Sequence, residues 1–281
     1  MPPLTPVVKN LLFLNIIVFA LAWAAPQFLG VDLGGLLALY YPTSEDFLPV
    51  QLLTHFFMHG GLTHIFFNMF GLVMFGPLLE HRYGPQRFLF LYLFSAMTAV
   101  ALHFGYTYFQ IQHYENLLAA FREAPSLGAF TEFFSSINTD GLVMDNGQRV
   151  TTVISTLEND IALGREVNDR LAEAGGLMEE YVDYMDEIPM VGASGALYGV
   201  VAAFAILYPD FKLMLIFLPI PIRARYFVPI ILAGDLFLGI MNYSWDPIAH
   251  FAHLGGAIGG GLLAYIWYKS DPPAGAQRWD R

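Results

Sequence analysis

Apolar positions along this chain gather into six runs, each bounded by polar or Gly/Pro-rich stretches. Most of the runs approach the length needed to cross a bilayer, about 20 residues. Val8 to Ala25 is the first, with one charge, Lys9, at its edge. Thr63 to Leu79, Phe88 to Phe109, a shorter Ala193 to Leu207, Tyr226 to Met241 and Ile248 to Tyr268 follow. Between the first two runs lies a stretch rich in Gly, Pro and aromatic residues, with Asp32, Glu45 and Asp46. It reads as a loop carrying short interfacial helices. Between the fourth and fifth, Pro219-Ile220-Pro221 excludes a regular helix, because proline lacks the N–H and clashes with the preceding turn. Residues 113–190 and the tail from Lys269 are polar. Within 113–190, Val167, Leu171, Ala174, Met178, Tyr181 and Met185 recur at helical spacing with acids between them. That pattern predicts at least one amphipathic helix, its apolar face lying on the first loop or on a second copy of the segment.

Composition agrees: 56% of the 281 residues are hydrophobic, 13% are charged and the mean hydropathy is +0.51. This is the profile of an all-α membrane protein. The net charge of −11 is confined to one place. Residues 113–190 hold fifteen acids and four arginines, while the rest of the chain holds nine of each and is neutral. The expected organisation is one membrane domain over 1–281, with 113–190 an acidic, mostly helical extracytoplasmic insertion between the third and fourth spans. No basic stripe points to nucleic acid, and the absence of cysteine excludes disulfides and thiolate chemistry. Six spans put both termini on one side. Lys9, Arg82, Arg87, Lys212, Arg223, Arg225, Lys269, Arg278 and Arg281 fall there, so the positive-inside rule makes that side cytoplasmic. The first run lacks a charged leader with a cleavage site and reads as an anchor. A short N-terminus with no targeting peptide suits a bacterial inner membrane.

In this topology the second, fourth and sixth spans all begin at the outer side, and polar residues cluster at those three starts. They are His64 and Asn68, then Ser194, then His250 and His253. His64 and Asn68 stand at i,i+4 on one helix face, as do Ser194 and Tyr198. Gly195 and Gly199 repeat at four in the fourth span, and Gly256 and Gly260 in the sixth. Small-xxx-small faces let membrane helices approach closely, which would bring Ser194 to His253. Serine needs such a base, because its own hydroxyl is a weak nucleophile. A soluble nucleophile elbow, G-x-S-x-G, fits poorly, because Ala196 takes the last glycine position and no strand pattern precedes Ser194. A serine opening a helix is ordinarily a cap. His55 and His59 read as structural, His250 as an interfacial cap, and Asp235 as a mid-span acid facing the bundle interior.

Taken together, Gly192-x-Ser194-Gly195-x-x-Tyr198, Ala252-His253-x-x-Gly256 and His59-x4-His64-x3-Asn68 resemble the signatures of the rhomboid family of intramembrane serine proteases, in the same order and on the same spans. Thr54 to His59 resembles the end of that family's first loop, and Glu80-x3-Gly84 the turn after its second span. The resemblance implies a six-helix rhomboid bundle. It makes Ser194 the nucleophile and His253 the general base of a dyad without an acidic third member. The Ser194 N–H, His64 and Asn68 would form the oxyanion hole. Tyr198 would pack on the His253 ring, Gly192 would keep the approach to Ser194 open, and Gly195 and Gly256 would support the packing. The implied substrates are transmembrane segments of other proteins within the lipid bilayer, with no cofactor and no metal. Two features depart from the family: Val50-Gln51 stands where its first loop carries Trp-Arg, and 113–190 is longer than the usual connection. Two rival readings stand beside this one. One is a non-catalytic rhomboid-like binding protein, whose members typically lack the serine or the histidine. The other is a metal protein liganded by His55, His59, His64 and His250-x-x-His253.

Overall fold

The computed structural model describes residues 3–135, 137, 149–165, 167–215, 218–241, 246 and 248–270. Arg278 and Arg281, used in the charge argument above, lie outside the described residues, as do residues 138–148 of the acidic segment.

In chain order the elements are α1 (Pro6–Phe28), α2 (Leu33–Leu37), α3 (Gln51–Thr54), a 3-10 turn His55–Phe57, α4 (Leu62–Tyr83), α5 (Pro85–Glu123), α6 (Leu127–Ser135), α7 (Val150–Ala162), α8 (Asn168–Asp186), α9 (Ser194–Leu207), β1 (Lys212–Leu215), β2 (Leu218–Arg223), α10 (Ala224–Met241) and α11 (His250–Ser270). By length and composition α1, α4, α5 and α10 can each cross a membrane. The shorter apolar α9 and the glycine-rich α11 pack among them. The six helices form one bundle whose core runs through Leu72, Leu79, Phe88, Tyr92, Val200 and Phe204, all nearly inaccessible. On the outside, Phe13, Leu21, Trp23, Ile230, Phe237 and Ile258 are exposed. An apolar outer surface on an apolar bundle is that of an integral membrane protein.

Entry into the bundle is fixed by Glu80, which is buried near the end of α4. Its carboxylate accepts the backbone N–H groups of Val7 and Val8, each at 3.0 Å, and the Thr5 hydroxyl. A helix start has N–H groups without intrahelical partners, and a carboxylate there satisfies both hydrogen bonding and the helix dipole.

α5 runs for 39 residues without a break. At 1.5 Å per residue that is about 58 Å, against roughly 30 Å of hydrocarbon. The polar segment therefore does not start as a loop at residue 113. Its first part is the continuation of α5, and a second hydrophobic core is built on it. Tyr114, Leu118 and Phe121 of α5 pack with Phe130 and Phe133 of α6, Leu157 of α7, and Leu171, Ala174 and Met178 of α8. This corrects the expectation for the amphipathic helix. α8 forms as predicted, but its apolar face lies on α5 and α6 rather than on the first loop or on a second copy. The first loop touches the end of this segment, through a Leu39–Met190 bridge and a Thr43–Asp186 hydrogen bond of 2.7 Å.

Between α9 and α10 the chain makes the antiparallel hairpin β1–β2. Its Pro219 and Pro221 are tolerated because both strands of a two-stranded ribbon are edges.

Helices α9 and α11 pack more extensively than any other described pair, and the reason is glycine. A Cβ on Gly256 would fall on the Gly195 carbonyl, and one on Gly260 would fall on the Gly199 backbone. The other side of the seam is α5. There Gly199 meets Ser95, Gly195 meets Ala99 and Gly259 meets Thr98. Helices α5, α9 and α11 thus share a small-residue junction, the close approach that i,i+4 glycines predict.

Candidate active site

Ser194 is the first residue of α9. The N-cap is Ala193, and no side chain caps the helix, so the Ser194 hydroxyl is not engaged in capping. Gly192, two residues earlier, has φ +121, a backbone state that L side chains rarely adopt. Its position is also full: a Cβ there would lie 2.8 Å from His64 Cε1, 2.9 Å from His64 Nε2 and 3.6 Å from Ser194 Oγ. The His64 ring and the serine hydroxyl therefore flank the same bare Cα. The Gly192 N–H donates to the His55 carbonyl at 2.9 Å, which fastens this turn to the first loop.

His64 Nδ1 accepts the Gly60 N–H at 3.3 Å. A neutral ring accepting at Nδ1 carries its proton at Nε2, and the Cε1–Nε2 edge of the ring is the part turned toward Gly192. One turn on, Asn68 is buried, and its amide nitrogen Nδ2 has no partner among the described residues. Buried donors are almost always paired, so this amide is an open donor on the helix packed against α9. A small cavity of about 20 Å³, with room for a water, touches Gly192, Ser194, Gly195 and Ala252.

His253 lies in the first turn of α11, across the glycine seam. Its ring stacks flat on Tyr198, one turn below Ser194, at 4.1 Å between centroids and 10° between planes. Among the described residues no hydrogen bond joins Ser194 Oγ to His253. In hydrolases without substrate that bond is commonly long, and it tightens in the Michaelis complex.

The implied dyad has company. Asp235, buried in α10, presents Oδ1 to His253 Nδ1 at 3.1 Å and to His250 Nδ1 at 2.6 Å. His250 Nε2 faces Asp246 Oδ2 at 3.0 Å. Asp235, His250 and His253 thus have the proximity of a three-residue metal cluster. Two ligands at ~2.1 Å from an ion but only 2.6 Å apart would subtend roughly 75°, well short of a tetrahedral angle. The spacing is that of hydrogen bonds. His55 Nδ1 is held by the Gln51 carbonyl at 2.6 Å, and among the described residues the metal-like cluster contains His250 and His253 but not His55, His59 or His64.

Sequence reasoning missed two supports. Gln51 is buried and ties the first loop together, donating to the Asp46 and Leu36 carbonyls and accepting the Leu48 N–H. It anchors the loop without the Trp-Arg pair. The engagement of Asp235 by both histidines was also unread, although a mid-span acid and an i,i+3 histidine pair were visible. Beside the site, burial lowers His55 to a pKa of about 4. Burial, and then the nearby His64, lower His59 to about 4 as well.

Comparison with known proteins bears on this constellation. The Rhomboid domain family model matches residues 48–134 and 171–270. The human presenilin-associated rhomboid-like protein, mitochondrial, is 34% identical over 113 residues, 38% of this chain and 28% of that protein. Rhomboid protein 1, mitochondrial, of Saccharomyces cerevisiae is 37% identical over 82 residues, 29% of this chain and 22% of that protein. The Danio rerio presenilin-associated rhomboid-like protein A, mitochondrial, is 34% identical over 122 residues, 39% of this chain and 31% of that protein. The matches span under a third of the length of these relatives.

Proposed function

From the premise that this chain belongs to the rhomboid family, we propose that it is an intramembrane serine endopeptidase that cleaves transmembrane segments of other membrane proteins. The observation that carries the reading is the convergence at the start of α9. A serine not engaged in capping lies across a glycine seam from His253, and an Asn68 amide without a partner among the described residues is buried on the neighbouring helix α4.

The chemistry follows from the positions. His253 Nε2 takes the Ser194 proton as Oγ bonds to the scissile carbonyl carbon, and the C=O π pair moves to oxygen. The resulting oxyanion meets Asn68 Nδ2, His64 Nε2–H and the free N–H groups of the first turn of α9. Collapse breaks the C–N bond as His253 returns the proton to the leaving amine. Water, deprotonated by the same histidine, then releases the acid. In this reading the six helices cross the membrane six times, both termini lie on the positively charged face, and Ser194 opens to the other. In a bacterial plasma membrane the positive face is the cytoplasmic one. Residues 113–190 form an outer module of the single rhomboid domain that selects substrates and takes no part in bond cleavage.

The test uses purified protein and a transmembrane reporter substrate. A fluorophosphonate should label Ser194. Ser194→Ala and His253→Ala should each abolish cleavage, and the double variant should be hardly worse, because the pair acts as a unit. Retained turnover in either folded single variant would sink the mechanism. A protein that binds the substrate without cutting it would be the non-catalytic rhomboid-like kind.

A further inference from the structure

The buried acid on α10 has a job that a Ser–His dyad leaves open. A general-base histidine must present an unprotonated nitrogen to the serine, so its other nitrogen must carry the proton. In a neutral imidazole either nitrogen can hold it, and a ring held only by stacking on Tyr198 has no preference. Something must choose.

Asp235 can make that choice. It is buried, and a carboxylate only accepts hydrogen bonds, so the His253 nitrogen 3.1 Å from Oδ1 must be a donor. That assigns the proton to Nδ1 and leaves Nε2 bare. The Tyr198 hydroxyl also hydrogen-bonds Asp235, and it belongs to the side chain on which the His253 ring stacks. His250 Nδ1 reaches the same oxygen at 2.6 Å, while His250 Nε2 reaches Asp246 Oδ2. Both His250 nitrogens face carboxylate oxygens, so His250 is a clamp that holds Asp235 in place.

We infer that Asp235 is a positioning residue for the hydrolysis proposed above: it fixes His253 in the Nδ1–H tautomer, with His250 and Asp246 holding the acid in register. The inference rests on the protease reading, but it adds a third member to a pair that the family resemblance leaves as two. Asp235 touches no substrate atom. Its action reaches Ser194 only through His253.

The experiment measures kcat, KM and the rate of fluorophosphonate labelling at Ser194 for the full-length protein in proteoliposomes. Asp235→Asn keeps the shape, but its amide can donate to Nδ1 and so select the wrong tautomer. We expect kcat and labelling rate to fall together by about 10²–10⁴ with KM unchanged. Asp235→Glu keeps the charge and should recover at least tenfold of that loss. Histidine ¹⁵N spectra of the wild type, with His253 assigned by its loss in His253→Ala, should show a protonated Nδ1 and a bare Nε2. This readout does not depend on any Asp235 variant folding. The role is overturned by an Nε2–H tautomer, by an Asp235→Asn protein that turns over within threefold of wild type, by a loss that appears in KM alone, or by a Glu variant no faster than the Asn one. Activity abolished by a chelator would overturn it too, and would restore the metal reading of the same three side chains. A wild type that takes no label at Ser194 defeats the protease reading itself. A labelled wild type with an equally fast Asp235→Asn defeats only the positioning role.

Discussion

Gly256→Ala should separate rate from fold. The added Cβ would fall on the Gly195 carbonyl, 2.7 Å from its carbon and 3.1 Å from Gly195 Cα. These are backbone atoms and cannot rotate away. The carbonyl oxygen is nearer still, and ordinary contact begins near 3.4 Å, so α9 and α11 must part by more than about 0.7 Å. Overpacking of this kind costs about 1–3 kcal/mol, within what a folded domain withstands. The rate is more exposed. Gly195 follows Ser194, and Gly256 lies one turn beyond His253, so the parting occurs at the junction that sets the distance from nucleophile to base. A misplacement of about 1 Å at reacting groups can cost 10²-fold, and we expect kcat to fall by about 10–100-fold while KM holds. The control is Gly261→Ala on the same helix. There the nearest atoms would be Ala202 Cβ at 3.6 Å and Ile206 Cδ1 at 3.7 Å, which is ordinary packing. That variant should keep its rate and melt no lower than wild type. The assay is steady-state cleavage of a transmembrane reporter with thermal melting of the same samples. If Gly256→Ala turns over like Gly261→Ala, the seam does not set the site geometry.

Asn68→Ala should lower kcat by about 10²–10³, the usual effect of losing one oxyanion donor, and His64→Ala should be similar; lowered melting with an unchanged rate per folded molecule would make them packing residues. Acidification should loosen the first loop. His55 and His59 are held neutral with pKa values of about 4, against 6.5 in an unfolded chain, so their contribution is complete above pH 6.5 and is lost as pH falls from 6.5 through 4. At the acid limit this is roughly a few kcal/mol per site, and hydrogen exchange of residues 51–60 that is flat across that range would contradict it. Replacing residues 116–186 by a short Gly/Ser linker should leave cleavage of a small fluorogenic peptide intact and change the choice among large membrane substrates; total loss of peptide cleavage in a folded deletion would place this segment in the catalytic site.

Some of this was legible in the chain and some was not. The apolar runs located every helix of the bundle to within a few residues on the membrane side, because lipid leaves the backbone few alternatives. The seam was legible because glycines four apart in an apolar helix permit an approach that other residues forbid. Asp235 could be placed at mid-span, but its pairing with His253 depends on the rotation of α10 about its own axis, and no local pattern encodes that rotation. The far half of α5 was hidden for a different reason. From Gln110 to Glu123 the sequence turns from lipid-facing to amphipathic without a glycine or proline, so the polarity changes while the helix does not. Pro219 and Pro221 correctly ruled out helix, yet by themselves they do not distinguish a hairpin from an irregular loop.

The uninterrupted α5 also sets a rule for anyone who exchanges parts of this protein with a relative. Because Ser95 and Ala99 at one end and Tyr114, Leu118 and Phe121 at the other ride on the same helix, the bearing of the outer module over the membrane is a matter of helical phase. One residue added between Phe109 and Tyr114 would swing everything beyond it by about 100° and raise it by about 1.5 Å. Seven residues would lift the module by roughly 10 Å and return it to within about 20° of its original bearing. Chimeras joined within α5 should therefore work or fail with the periodicity of the helix, not with the length of the graft.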